Sequence, residues 1–166
     1  MEYSIKSTGG YMEHFHSIRQ ELYFFSCKQG NLMWRVEEYT LPQGIAPDKY
    51  IRDLLGWTDT AGGLLHSTSW RYDFNFDPHL VLCWAVIPSV RESDWVVLEP
   101  NKKIKTGADS AHPVPDELER VDVARHAARH IAFLLHNDAS VYNSSALTAE
   151  LKNAFAKFEY ELAGEV

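Results

Sequence analysis

The sequence predicts a two-layer α+β domain with about five mostly antiparallel strands, two C-terminal helices on one face and a short helix between strands 2 and 3. Residues 65–76 place aromatic side chains at even positions and polar side chains at odd ones, which is typical of a strand in a sheet covered on one side. Residues 115–136 instead repeat apolar side chains every three to four positions, which is typical of an amphipathic helix. This change of period along the chain predicts that the strands precede the long helices.

The first half of the chain predicts a β-hairpin followed by a short helix. Residues 21–28 and 32–41 are rich in aromatic and β-branched side chains, and Gln29-Gly30-Asn31 between them has the length of a hairpin loop. Residues 48–55 follow a proline and begin with an acidic side chain, which favours a helix start, and Gly56 can end that helix.

The remaining elements follow from hydrophobic periodicity. Residues 79–87 are apolar on both faces and predict a central strand, and we expect residues 94–98 to pair antiparallel with it. Residues 115–136 and 146–163 predict the two amphipathic helices. Residues 11–20 predict a further short helix near the start of the chain.

The composition is that of one globular domain. The 166 residues are 45% hydrophobic and 23% charged, and no repeat, low-complexity tract or linker divides them. A chain of this length buries roughly two-thirds of its unfolded surface, so its core needs neither disulfides nor a structural metal. We therefore predict a single domain over residues 1–166.

Charge and hydropathy limit the location and the partners. No run approaches the roughly 20 apolar residues of a membrane-spanning helix, and the first residues lack the basic and apolar regions of a secretion signal. Cys27 and Cys83 show no C-x-x-C spacing, which favours reduced thiols in the cytoplasm. A net charge of −7 disfavours nucleic acid. We therefore expect a cytoplasmic protein without a membrane partner, and a small-molecule partner, a protein partner and a homo-oligomer stay open.

The candidate catalytic residues are His66 and Thr68. On a strand they share one face, so an imidazole and a hydroxyl could act on one ligand. His66-Ser67-Thr68-Ser69 resembles one half of the His-x-Thr-x signature of two-histidine phosphoesterases. The resemblance implies that His66 acts as general base or acid and that Thr68 holds phosphoryl oxygens, although the chain has no second such motif. The alternative is a structural role, with both side chains hydrogen-bonded at the rim of the core.

The period of a strand restricts this site further. Ser69 could help Thr68 hold an oxyanion, and Arg71 could neutralise charge. On a regular strand, however, Ser69 and Arg71 point away from His66. Only a β-bulge or the end of the strand could bring all of them together.

The candidate metal ligands are Asp122, His126 and His130. Their spacing of four residues places them along one side of a helix, from which neighbouring side chains could reach one divalent ion. The glutamate that follows the first histidine in metalloprotease helices is replaced by Ala127. The alternative is a set of solvated histidines on the outer side of the helix.

Two further features could bind a ligand. Lys102, Lys103 and Lys105 lie in the polar segment 100–113, which could close over a phosphate or carboxylate but lacks the pattern of a P-loop. Trp70 is one of 5 tryptophans and could line an aromatic cleft. The alternatives are a solvated loop and core packing.

These features predict, by default, a non-catalytic ligand- or protein-binding or regulatory module. The sequence contains no complete catalytic set, dinucleotide fingerprint or nucleophile elbow, so we predict no cofactor. The first alternative is a small hydrolase or phosphoesterase-like enzyme that uses His66 and Thr68. The second alternative is a metal-binding protein that uses His126 and His130.

Overall fold

A five-stranded sheet organises the residues that the computed structural model describes, which are 17–58, 62–73, 79–87, 94–100 and 118–158. The strands are β1 (Ser17–Lys28), β2 (Asn31–Thr40), β3 (Leu64–Asp73), β4 (His79–Ile87) and β5 (Val96–Val97). The helices are α1 (Pro47–Leu55), α2 (Arg120–Asn137), α3 (Ala139–Tyr142) and α4 (Ala149–Phe155).

The sheet is mixed but mostly antiparallel, in the order β3-β4-β1-β2-β5. β1 runs parallel to β4, and the other three neighbouring pairs are antiparallel. The predicted α+β class is thereby confirmed. The predicted pairing of the fifth strand with β4 is wrong, because β1 and β3 occupy both edges of β4 and β5 instead pairs with β2.

The hairpin between β1 and β2 agrees with its sequence signal. Gln29 and Gly30 form a two-residue connection and both have positive φ angles, 53° and 73°, as the favoured type I′ turn requires. β1 begins at Ser17, so the predicted helix over 11–20 is wrong for residues 17–20, and residues 11–16 lie outside the described ranges. The cause is a long-range contact, because Ser17 pairs with His79 of β4.

The main core lies between the sheet and the C-terminal helices. On α2, Ala124, Ala127 and Ala128 are fully buried, and their small side chains let the helix approach the sheet closely. On α4, the ring of Phe155 packs edge-on against Phe25 of β1, with ring centroids 5.5 Å apart. Both C-terminal helices therefore cover one face of the sheet, as predicted.

The second face of the sheet is covered in part by α1. Its Ile51 is fully buried in a smaller cluster with Leu22, Phe24 and Val86. The helix has the predicted extent to within one residue, and Gly56 ends it with a φ angle of 67°. The short helix therefore adds a partial layer opposite α2 and α4.

The long helices are shorter than their sequence patterns. α2 begins at Arg120, after a capping box formed by Glu119 and Asp122, and the predicted start at residues 115–117 lies outside the described ranges. α4 ends at Phe155, and the predicted end at residues 159–163 also lies outside them. No helix among the described residues combines the length and hydropathy needed to cross a membrane.

Gly63, just before β3, provides a test of close backbone packing. A methyl group at Gly63 would lie 2.0 Å from the carbonyl oxygen of Ile87 and 2.6 Å from the ring of Trp57. We expect Gly63→Ala to lower the free energy of unfolding by about 3 kcal/mol, since backbone must move. Gly44→Ala is the control, because that site has open space and only a positive φ, which costs about 1 kcal/mol. Equal losses in urea-unfolding experiments would contradict the packing argument.

Candidate functional site

A β-bulge at Thr68 interrupts the alternation of β3. Ser67 lies opposite Trp84 of β4, and Ser69 lies opposite the next residue, Cys83, so Thr68 has no partner of its own. Thr68 is buried, and its hydroxyl donates a hydrogen bond of 3.2 Å to the carbonyl oxygen of Cys83. The extra residue shifts the alternation of side chains by one from this point to the end of the strand.

With the bulge in place, His66, Ser69 and Arg71 all lie on the face of the sheet that carries α2. Their positions opposite on β4 are Ala85, Cys83 and Val81, which belong to the main core. Trp70 and Tyr72 consequently lie on the other face. The alternation inferred from the sequence, with even positions on one side throughout, is therefore wrong after Thr68. A bulge of this kind has no strong sequence signal, because any residue can occupy it.

His66 of β3 meets His130 of α2, which joins the predicted catalytic site to the predicted metal site. Their Nε2 atoms are 3.1 Å apart, and both side chains are half-buried. His126 lies one turn earlier on α2, with its ring 6.5 Å from that of His130, and hydrogen-bonds to the backbone of Thr68. His66, His126 and His130 are called the histidine cluster below.

The histidine cluster is held in its neutral form. Burial lowers the pKa of each imidazole below its ordinary value of 6.5. The neighbouring imidazoles lower the pKa of His130 further, and Arg129 does the same for His126, whereas Asp138 partly opposes the effect at His66. At neutral pH one Nε2–H of the His66–His130 pair can therefore donate to the lone pair of the other.

A buried ion pair lies on the same face, between β1 and β3. Arg71 makes two bonds to the carboxylate of Glu21, of 2.5 and 3.0 Å, and Glu21 is only 3% exposed. The hydroxyl of Tyr23 donates to the same carboxylate at 2.6 Å, and Arg71 also contacts the sulfur of Cys83 at 3.1 Å. Sequence reasoning missed Glu21, although a charged side chain between apolar ones in a predicted strand is a usable signal.

The ion pair has a structural role, because its two charges bind each other. Burial by itself would raise the pKa of Glu21, but the bonds from Arg71 and Tyr23 and the guanidinium charge lower it below 4.5. Burial raises the pKa of Cys83 to about 11. The carboxylate is therefore charged and paired at neutral pH, whereas Cys83 is a protonated thiol rather than a nucleophile.

Asp122 has a structural role at the start of α2. It is buried, binds Arg125 at 2.9 Å and accepts the backbone N–H of Glu119 at 3.3 Å. Asp122 and Arg125 therefore lie on the buried side of α2. Within the described residues, no group of three or more His, Cys, Asp and Glu side chains is placed to hold a metal ion.

The predicted ligand-binding residue Trp70 lies on the open part of the second face. Trp70 is 62% exposed and Tyr72 is 46% exposed, and their rings pack edge to face with centroids 5.3 Å apart. Lys102, Lys103 and Lys105 lie outside the described residues. The structure therefore places two adjacent exposed aromatic rings on a strand at the edge of the sheet.

A scan against protein-family models finds no match, and a search of curated proteins finds none either. The function is therefore inferred from the side chains of this chain.

Glu21→Gln tests the buried ion pair. We expect a loss of about 3 kcal/mol in the free energy of unfolding at neutral pH, because Arg71 keeps a buried charge without its carboxylate. The loss should shrink as the pH falls below 4.5. The stability contributed by Glu21 is present above its unfolded pKa and is lost as the pH falls through its lower folded pKa.

A control exists on β2, where Glu37 binds one nitrogen of Arg35 and the hydroxyl of Tyr39 but is 32% exposed. Glu37→Gln should lower the free energy of unfolding by less than about 1 kcal/mol. Urea unfolding as a function of pH measures both variants. Similar losses of unfolding free energy in Glu21→Gln and Glu37→Gln would contradict the claim that burial of the ion pair determines its contribution to stability.

The histidine cluster should make the fold sensitive to mild acid. In the folded protein the pKa values of these imidazoles lie below the ordinary value of 6.5. The stability that the cluster contributes is therefore present above pH 6.5 and is lost as the pH falls through the folded pKa values. We expect the Tm to drop between about pH 7.5 and about pH 5.5, and His130→Gln to reduce the drop. The control is His136→Gln, at the exposed end of the same helix. A Tm of His130→Gln that falls as steeply as that of the wild type would disprove the role of the cluster.

Proposed function

We propose that the protein is a non-catalytic protein-binding module and that its partner is an extended polypeptide segment that adds to β3. The observation that carries the proposal is the exposed pair of aromatic rings, Trp70 and Tyr72, on the outermost strand of the sheet. A cytoplasmic location, with Cys27 and Cys83 as free thiols, belongs to the same proposal.

The backbone of β3 supports strand addition. Among the described strands, β3 pairs only with β4, so the N–H and C=O groups along its other edge have no strand beside them. β3 is 10 residues long, whereas β5 at the opposite edge has 2. A long edge strand is a template for an added strand, whose main chain supplies the hydrogen bonds.

The side chains next to this edge favour a polypeptide with alternating apolar residues. On β4, Leu82 lies opposite Trp70 and Leu80 lies opposite Tyr72, so the four side chains form one apolar patch. An added strand would place every second side chain on the same face, next to this patch. Trp and Tyr are enriched among the residues that contribute most to binding, because they bury a large area with few rotatable bonds.

The groups that the hydrolase alternative needs are engaged in other contacts. Thr68 donates its hydroxyl to a backbone carbonyl, and Arg71 is bound to a buried carboxylate. His66 and His130 contact each other directly, which leaves no space for a phosphoryl group between them. These contacts favour the binding module, and the hydrolase stays a prediction.

Peptide selection on the full-length chain tests this function. A random-peptide library displayed on phage should yield peptides with apolar residues at alternate positions. Trp70→Ser combined with Tyr72→Ser should weaken their binding at least about tenfold, because both rings lie in the contact. Tyr142→Ser is the control, since Tyr142 is 51% exposed but lies on α3. Bound peptide should also slow hydrogen exchange at the amides of β3.

Two outcomes would overturn the proposal. The first is that no peptide is enriched, or that the double variant binds the enriched peptides as well as the wild type. The second is a concentration-dependent dimer in sedimentation velocity that the double variant abolishes, since the strand beside β3 would then come from a second copy of this chain rather than from a separate partner.

A further inference from the structure

The imidazoles of His66 and His130 bring two nitrogens close together beside β3. Their Nε2 atoms are 3.1 Å apart and their ring centroids 4.9 Å apart. If the two nitrogens lay on the straight line between the ring centres, the centroids would be more than 4.9 Å apart. At least one ring is therefore tilted away from that line. If the two Nε2 directions intersect, similar triangles place the intersection about 2 Å from each nitrogen, which is the length of a Zn–N bond.

We propose that His66 and His130 bind a borderline divalent metal ion, with Zn²⁺ as the reference case, through their two Nε2 atoms. Water completes the coordination of the ion. This site differs from the set inferred from helical spacing, because it joins β3 to α2 instead of using Asp122 and His126.

The separation of the two nitrogens suits a chelated ion. Two imidazole nitrogens bound to one zinc at about 2.0–2.1 Å lie about 3.4 Å apart at a tetrahedral angle and about 2.9 Å apart at a right angle. The observed 3.1 Å lies between these limits. The two imidazoles are already in contact without an ion, so little movement is needed when the ion binds.

The surroundings supply both favourable and unfavourable charges. When an ion is bound through both Nε2 atoms, each imidazole carries its proton on Nδ1, so the Nε2 proton that one of them shares in the absence of metal must move. The carboxylate of Asp138, at the start of α3, acts electrostatically on His66 and attracts a cation. Arg129 opposes a cation near His126, whose ring already bonds to the backbone of Thr68.

The number of ligands sets the expected affinity. Within the described residues no third His, Cys, Asp or Glu side chain completes a metal-binding group, so this part of the chain supplies two ligands where structural zinc sites supply four. We therefore expect a micromolar dissociation constant rather than the tighter binding of a closed site. Both histidines are half-buried, which lets water reach the remaining positions.

Isothermal titration of the metal-free full chain with zinc chloride at about pH 7.5 tests the site. We expect one Zn²⁺ per chain, with the affinity reduced at least about tenfold in His66→Ala and in His130→Ala. The double variant should bind no more weakly than the single ones, because one missing histidine already removes the chelate. His136→Ala, at the exposed end of α2, should bind like the wild type.

A second measurement on the unaltered protein keeps the test valid if a variant fails to fold. Added Zn²⁺ should shift the imidazole ¹⁵N resonances of His66 and His130 in NMR spectra and leave those of His136 in place. Zinc affinity that neither His66→Ala nor His130→Ala changes would overturn the proposal, as would unshifted imidazole resonances in the presence of excess zinc.

Discussion

One extra residue in β3 decides which side chains of the edge strand face the core. Because no residue of β4 is paired with Thr68 in the register, the strand after it presents its odd-numbered residues to α2. Arg71 thereby reaches the interior, and His66, before the bulge, stays on the same side. Trp70 is turned outward at the same time. The ion pair and the exposed aromatic rings both depend on this single irregularity.

The buried carboxylate of Glu21 favours that irregularity, because the bulge places Arg71 beside it. An unpaired charge at 3% exposure would cost several kcal/mol, and the two bonds from Arg71 on the outer strand offset that cost. A register of β3 shifted by one residue would move Arg71 to the opposite face and leave Glu21 without its cation. The ion pair thus links β1 to β3 across β4 and fixes the register of an edge strand that packing alone would define weakly.

The two faces of β3 therefore have different chemistry. The helix side holds polar groups in defined pairs, which are the ion pair of Glu21 and the contact between His66 and His130. The outer side exposes apolar rings next to a strand edge. Both histidines could be singled out from the sequence, one from its strand and one from its helix. Their contact could not, because 64 residues separate them.

The sequence by itself determined the elements whose signals are local. The hairpin turn at Gln29 and Gly30, the end of α1 at Gly56 and the extent of β4 each follow from steric or hydropathic preferences within a few residues. Tertiary structure decided the partner of β5, the early start of β1 and the bulge at Thr68. The physical reason is that these features satisfy hydrogen bonds and buried charges between distant segments, and a pattern read along the chain carries no information about which segments become neighbours.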